Sequence, residues 1–122
     1  MICYRCGQDV GDAKRCPNCG ADLTVFWKVR RISNSYYNLG LQQAEVRNLS
    51  GAVESLKNSL KFNKYNIAAR NLLGLVYHEM GETVAALSEW VISQSYQPDD
   101  NLANGYLDEI QKNRGQLDTI NQ

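Results

Sequence analysis

Four cysteines near the N-terminus are the residues whose type and spacing point most directly to chemistry. They form two C-x-x-C pairs, Cys3 with Cys6 and Cys16 with Cys19, and the chain has no other cysteine. Each pair can fold as a tight turn that offers two thiolates to one ion. Two such turns complete the tetrahedral set of four thiolates that structural zinc prefers. The pattern therefore favours a metal site.

The residues around the pairs agree with this interpretation. Gly7 and Gly20 each follow the second cysteine of a pair. We expect a glycine there to let the backbone turn under the metal without a clash from a Cβ atom. Pro17 stiffens the second turn. The spacer GQDVGDAKR is long enough for a hairpin that brings the two turns face to face.

Other uses of cysteine pairs stay open at this point. A redox C-x-x-C would need a thioredoxin-like βαβ setting, and none is recognisable here. Disulfides would need an oxidising compartment. No signal peptide precedes Cys3, so we expect a cytoplasmic, reducing location. Iron in a rubredoxin-like site has the same ligands but usually a much longer spacer.

The pattern C-x-x-C-G…C-P-x-C-G over residues 1–24 resembles the short zinc-ribbon family that opens many bacterial proteins. The resemblance implies one structural Zn²⁺ bound by Cys3, Cys6, Cys16 and Cys19. It implies no open coordination position, so we expect no catalytic zinc. A module of this size cannot bury a useful core, and the metal would supply most of its folding energy.

The rest of the chain repeats itself. Residues 33–66 align with residues 67–100 without a gap. The identical pairs are Leu39/Leu73, Gly40/Gly74, Leu41/Leu75, Glu45/Glu79, Ala52/Ala86 and Ser59/Ser93. A glycine inside a helix costs about 1 kcal/mol against alanine. We expect Gly40 and Gly74 where another helix crosses too closely for a Cβ atom.

A repeat of about 34 residues with this pattern resembles the tetratricopeptide repeat family. The second copy carries Leu73, Gly74, Tyr77, Gly81, Ala86, Trp90 and Pro98. The first copy departs from the pattern at Gln43, at Arg47 in place of the turn glycine, and at Lys64 in place of the proline. The resemblance implies a mostly α-helical fold, in which an α-solenoid of helix hairpins follows the small four-cysteine zinc ribbon.

We predict helices over residues 33–46, 50–62, 67–80, 84–96 and 101–113, with Asn101 as the N-cap of the fifth. Gly115 is predicted to turn the chain into the start of a further helix. The predicted units are a zinc ribbon (1–24), a connector (25–32), repeats at 33–66 and 67–100, and a capping helix or degenerate third repeat (101–122). Because such arrays usually need about three repeats, we expect the front part of a longer protein, and self-association of this shortened form.

In the tetratricopeptide family, the first helix of each repeat lines a concave groove that binds peptides or proteins. The candidates here are Tyr37, Asn38, Leu41, Ala68, Asn71, Leu75 and His78. Tyr37, Leu41 and Leu72 stand where the first two repeats of a carboxylate clamp of this family would have Lys or Asn, so we do not expect capture of an acidic chaperone tail. The groove also suits the chain's own next helix.

The connector, TVFWKVRRIS, mixes apolar and basic residues. It either docks the ribbon on the first helix pair, extends the first helix, or offers Trp27 for stacking on single-stranded nucleic acid. Residues 1–31 hold six basic and three acidic residues, a net charge of +3, and the remainder is −3. In the nucleic-acid interpretation, the phosphates would be contacted by Lys28, Arg30 and Arg31.

Composition excludes several classes of function. No run of about 18 apolar residues is present, so no membrane segment is expected. His78 is the only histidine, and no nucleophile triad or phosphate loop is recognisable. We therefore expect a non-enzymatic scaffold that binds a protein or peptide partner. The alternative is a nucleic-acid-associated factor that contacts RNA or DNA through the ribbon and connector.

Overall fold

The computed structural model describes the backbone of residues 2–120 and the side chains of residues 2–112. This part of the chain is mostly helical, as predicted. The helices are α1 (Thr24–Glu45), α2 (Leu49–Phe62), α3 (Ile67–Glu79), α4 (Thr83–Tyr96) and α5 (Leu102–Ile120). Ahead of α1, residues 2–23 form a compact turn structure, held by isolated bridges between Ile2 and Asp9 and between Arg15 and Asp22. We use the word ribbon as a label for this segment.

The predicted start of the first helix at residue 33 is wrong. Helix α1 begins at Thr24, so the predicted connector is its first part, and the alternative that the connector extends this helix is confirmed. The Asp22 carboxylate accepts a hydrogen bond from the Thr24 N–H at 2.9 Å, and Leu23 is fully buried. Together these contacts start the helix directly where the ribbon ends.

Asparagines cap three of the following helices. The side-chain oxygens of Asn48 and Asn66 accept from the N–H groups of Gly51 and Ala69. The predicted cap at Asn101 is confirmed by its bond from the Ala103 N–H, 3.0 Å long. Helix α5 then runs without interruption to Ile120, so the predicted turn at Gly115 is wrong. One glycine costs a helix only about 1 kcal/mol, too little to end it.

Consecutive helices pack against each other, and the glycines for which close crossings were predicted, Gly40 and Gly74, lie at two of these contacts. A Cβ atom on Gly40 would come within 2.8 Å of the Leu56 side chain, and one on Gly74 would overlap the Trp90 indole. Ala52 and Ala86, the small residues from the second helices, are fully buried. The predicted close crossings are therefore confirmed, with large side chains lying over the glycines.

The turns after α1 and α3 share an unusual backbone conformation. Arg47 has φ 65°, and Gly81, at the equivalent position of the second copy, has φ 80°. The left-handed region suits glycine and strains other residues. Arg47 therefore has the same left-handed backbone conformation as Gly81, although it stands where the repeat pattern has glycine.

A helix that crosses a bilayer needs both length and apolar character. None of the described helices combines enough residues with enough apolar character to cross a membrane.

Candidate functional site

The four cysteines converge on one point. Their Sγ atoms all lie within 4.8 Å of one another. The Sγ atoms of Cys3 and Cys19 are 3.6 Å apart, as are those of Cys6 and Cys16. A tetrahedral ion with metal–sulfur bonds of about 2.3 Å places its ligands about 3.8 Å apart. The sulfur positions therefore fit a four-thiolate metal site, and they are well outside the bonding distance of a disulfide, about 2.05 Å.

Two structurally equivalent turns supply these sulfurs. In the first, the Gly7 N–H donates to the Cys3 carbonyl (2.9 Å) and the Cys3 N–H donates to the Gln8 carbonyl (2.9 Å). In the second, Gly20 donates to Cys16 (2.8 Å) and Cys16 to Ala21 (2.9 Å). The site is thus built from two copies of one turn, each giving a buried and a more exposed cysteine.

The sequence analysis identified the two cysteine pairs and their trailing glycines but missed the aspartate that ends each copy. Both turns read C-x-x-C-G-x-D, with Asp9 and Asp22 at the end. Each aspartate accepts from a backbone N–H two residues on, Gly11 at 3.0 Å and Thr24 at 2.9 Å. The second of these bonds, from the Thr24 N–H to Asp22, starts α1. Asp22 therefore both ends the second turn and begins the helix.

The expected reason for the two trailing glycines needs correction. A Cβ atom built on Gly7 or Gly20 meets nothing within 4 Å, so there is no clash to avoid. Their φ angles are 78° and 76°. Glycine is favoured at these positions because the backbone is left-handed, a conformation that costs other residues about 1–2 kcal/mol.

Hydrogen bonds around the sulfurs favour thiolates on the first turn. The Gln8 N–H, followed by the Asn18 side chain, lowers the pKa of the Cys6 thiol to about 6. The Cys6 N–H likewise lowers the pKa of Cys3. The Ala21 N–H acts in the same direction on Cys19, but burial and the neighbouring sulfurs raise the pKa of that thiol to about 11. A divalent cation would offset this repulsion among the four sulfurs.

The ribbon is docked on α1 through Trp27. Cys3, Cys16 and Leu23 belong to a small buried cluster, and Trp27 packs against it. The Trp27 Nε1–H donates to the Ala13 carbonyl at 2.9 Å, which joins the helix to the loop between the turns. The predicted docking role of the connector therefore has a defined contact.

The seven predicted groove residues occupy different environments. Tyr37 and Leu75 are half-buried and pack against core clusters, and Leu41 is also half-buried. Asn38, Ala68 and His78 are exposed. Asn38 lies beside Trp27 and Arg31 in a shallow depression along α1.

Asn71 requires a different role from the predicted one. It is buried, and its side-chain NH₂ group donates to the side-chain oxygen of Asn101 at 2.9 Å. Its backbone carbonyl accepts from the Trp90 indole N–H at 3.2 Å. Asn101 in turn donates to the Ser93 hydroxyl at 2.9 Å. Asn71 therefore holds α5 and the Trp90 ring in place, and we remove it from the candidate partner residues.

Arg70 is a buried cation that the sequence analysis did not identify. Its guanidinium forms a 2.7 Å ion pair with Glu89, donates to the Lys64 carbonyl at 2.9 Å, and lies 5.6 Å from the centre of the Tyr96 ring. These contacts join α3, α4 and the loop between α2 and α3. Because the partners come from a loop and from another helix, no local pattern marks Arg70 as a buried cation.

Comparison with known proteins adds no further assignment: no family model, no curated protein and no solved structure matches the chain.

Proposed function

We propose that this chain is a non-enzymatic protein–protein interaction module. In this proposal a metal-bound zinc ribbon caps an array of two tetratricopeptide-like helix pairs, followed by α5. The module presents a peptide- or protein-binding surface from its helices. Its thiol-rich metal site suits a reducing compartment such as the cytoplasm.

One observation carries the proposal. The helix pairs α1–α2 and α3–α4 use the same contact at equivalent positions of the two copies: Gly40 lies under Leu56, and Gly74 lies under Trp90. Repeat proteins stack units that cannot bury their apolar faces alone and so expose long surfaces to partners. The repeated crossing, together with the left-handed turns after α1 and α3, supports this class of architecture.

We further propose that the metal is one structural Zn²⁺. The four ligands all come from the protein, which leaves no position for a substrate. The N–H groups of Gln8 and Ala21 donate to the sulfurs of Cys6 and Cys19, and such bonds fix the orientation of metal ligands. When bound, the ion supplies folding free energy to a module whose own buried core is small.

The nucleic-acid alternative has less support. Its stacking platform was Trp27, and that indole is instead engaged with the ribbon core and the Ala13 carbonyl. The Arg30 guanidinium lies 5.5 Å from the centre of the same ring. The exposed basic residues of the connector, Lys28 and Arg31, would then contact phosphates without the stacking residue on which this alternative depended.

Selection from a randomised peptide display library tests the proposal. The metal-loaded chain should enrich peptides that share a sequence pattern, and a synthetic member should bind in calorimetry. His78→Ala, on the exposed face of α3, should weaken that binding. Val84→Ala, at an exposed position on α4, is the matched control. Failure to enrich any shared pattern over several rounds would contradict an interaction module.

A further inference from the structure

A cleft lies where the ribbon meets the helices, outside the predicted groove. Its volume is about 500 Å³. The ribbon contributes Ile2 and Tyr4, α1 contributes Phe26 and Val29, and the end of α2 with its following loop contributes Phe62 and Tyr65. We call this the ribbon–helix cleft. Ligand sites of proteins have volumes of about 300–1,000 Å³ and mostly apolar linings.

The walls of this cleft are apolar side chains that water reaches. Ile2 is 66% exposed, Tyr4 60% and Tyr65 57%. Single exposed apolar residues are ordinary, but a contiguous cluster of them marks a binding surface. No buried cluster of the described residues includes these three side chains.

Ring contacts hold the walls in position. Tyr4 stacks on Phe26, with ring centres 4.7 Å apart, which joins the ribbon to α1. Tyr65 makes an edge-to-face contact with Tyr96, with centres 4.8 Å apart. Aromatic side chains that are already ordered lose little entropy on binding. Tyr4 lies between two of the cysteines, so this wall depends on a folded ribbon.

Charge indicates the kind of occupant. Among the residues that line the cleft, Arg30 is the charged one, and none carries a carboxylate. A second cation borders the cleft, because the Lys64 ammonium group lies 5.0 Å from the centre of the Tyr65 ring. An apolar floor with a basic rim fits an aromatic or aliphatic side chain that has carboxylates beside it.

The other occupants fit less well. A nucleic-acid strand places a phosphate at every nucleotide, whereas the described contacts place two cations at this cleft, Arg30 in its lining and Lys64 beside Tyr65. A second copy packed symmetrically on the same face would place its Arg30 and basic rim against those of the first copy, because such an interface is self-complementary. Like charges placed opposite each other at an interface are unfavourable.

We propose that the ribbon–helix cleft binds a short acidic peptide segment that carries an apolar anchor. Phe26 and Tyr65 contact the anchor, and the Arg30 guanidinium pairs with a carboxylate. This inference rests on the proposed interaction function and adds to it a second, metal-dependent site, whose lining does not include His78. A failure here would leave the display experiment with His78→Ala unaffected, so the two proposals fail separately.

The test is an NMR titration of the ¹⁵N-labelled, metal-loaded chain with three acetylated and amidated pentapeptides, EWELE, QWQLQ and KWKLK. We expect EWELE to shift the amides around Phe26, Arg30 and Tyr65, and to bind about threefold to fivefold more tightly than QWQLQ, as a partly exposed ion pair gives. KWKLK should bind most weakly. Chelation of the metal should weaken EWELE binding.

Two pairs of variants locate the binding. Arg30→Gln should remove the preference for EWELE over QWQLQ, whereas Arg31→Gln, one position on and outside the cleft lining, should keep it. Phe26→Ala should weaken both peptides about fivefold or more, as loss of an anchor does. Val25→Ala, exposed beside it but outside the cleft, should not.

Several results would overturn the proposal. One is the absence of shifts at millimolar EWELE, and another is equal binding of KWKLK. A third is an EWELE preference that survives Arg30→Gln. Tighter binding of a twelve-nucleotide oligothymidylate at the same amides would reassign the cleft to nucleic acid. Concentration-dependent shifts there without any peptide would reassign it to self-association.

Discussion

Gly74 lies directly beneath the indole ring of Trp90, so closely that α3 has no room there for a Cβ atom. The ring itself is held, because its Nε1–H donates to the Asn71 carbonyl at 3.2 Å and Tyr106 packs 5.1 Å from its centre. Trp90 is 1% exposed. The large side chain of Trp90 and the absence of a side chain at Gly74 therefore belong to the same helix crossing.

We predict that Gly74→Ala lowers the free energy of unfolding by about 1–3 kcal/mol, the range typical of overpacked cores. Gly40→Ala should cost less, because the side chain above it is the more adaptable Leu56. Gly105→Ala is the control. Gly105 is helical with open space around it, so alanine there should stabilise by up to about 1 kcal/mol. Chemical denaturation measures all three, and a Gly74→Ala protein as stable as Gly105→Ala would contradict the close crossing.

Arg47→Gly should leave the protein equally or more stable, although it removes an ion pair. Arg47 has φ 65°, a conformation that costs a non-glycine residue about 1–2 kcal/mol. Its 3.2 Å pair with Glu79 is exposed on both sides and contributes about 0.2–1 kcal/mol. Arg47→Ala loses the pair and keeps the strain, so its melting temperature should be the lowest of the three proteins. A glycine variant that melts below the alanine variant would contradict the strained turn.

Metal retention should depend on pH through the thiols. Because the folded protein lowers the pKa of Cys6 to about 6, its thiolate contributes stability at alkaline pH, and that contribution is lost as the pH falls through 6. Protons compete with the metal for all four sulfurs. We therefore expect metal release, followed with a chromogenic chelator, to rise steeply below pH 6.

The hydrogen bonds to Cys6 provide a matched pair for this experiment. Asn18→Ala removes a side-chain donor that lowers the pKa of Cys6, so release should begin at a higher pH. Gln8→Ala keeps the backbone N–H that Gln8 contributes and should leave the release curve unchanged. A shift of equal size in both variants would show that the side chain of Asn18 has no such role.

Trp27 should couple the ribbon to the helices. Trp27→Ala removes the bond to the Ala13 carbonyl and the packing against the ribbon cluster. We expect faster hydrogen exchange of the amides at residues 28–31, with the metal still bound. Trp27→Phe removes the hydrogen bond, worth about 1 kcal/mol, but keeps an aromatic ring against the cluster, so it should have a smaller effect. Unchanged exchange in the alanine variant would mean that the ribbon is not docked through this residue.

The sequence predicted those features that local spacing determines. The cysteine cluster followed from two C-x-x-C pairs, and the bounds of α2, α3 and α4 were predicted to within one residue at each end. These helices have periodic apolar residues, and asparagine caps begin two of them. The glycines at the crossings were also identified correctly, because a glycine inside a helix needs a reason beyond propensity.

The features that the sequence did not predict depend on partners from elsewhere in the chain. The start of α1 is fixed by the bond to Asp22 and by burial of Leu23 in the ribbon, neither of which periodicity reveals. Asn71 was assigned to a groove because its partner, Asn101, comes from beyond the next helix. The ribbon–helix cleft combines three separate segments and has no sequence signature at all.

The metal content of the purified chain is the measurement that bears most directly on the architecture. Protein expressed without added chelator should contain one zinc ion per chain, and EDTA should lower the melting temperature of the helices, because the ribbon is docked on α1 through Trp27. Metal-free protein with oxidised cysteines would contradict the four-thiolate site. Helices that melt identically with and without EDTA would contradict the docked ribbon.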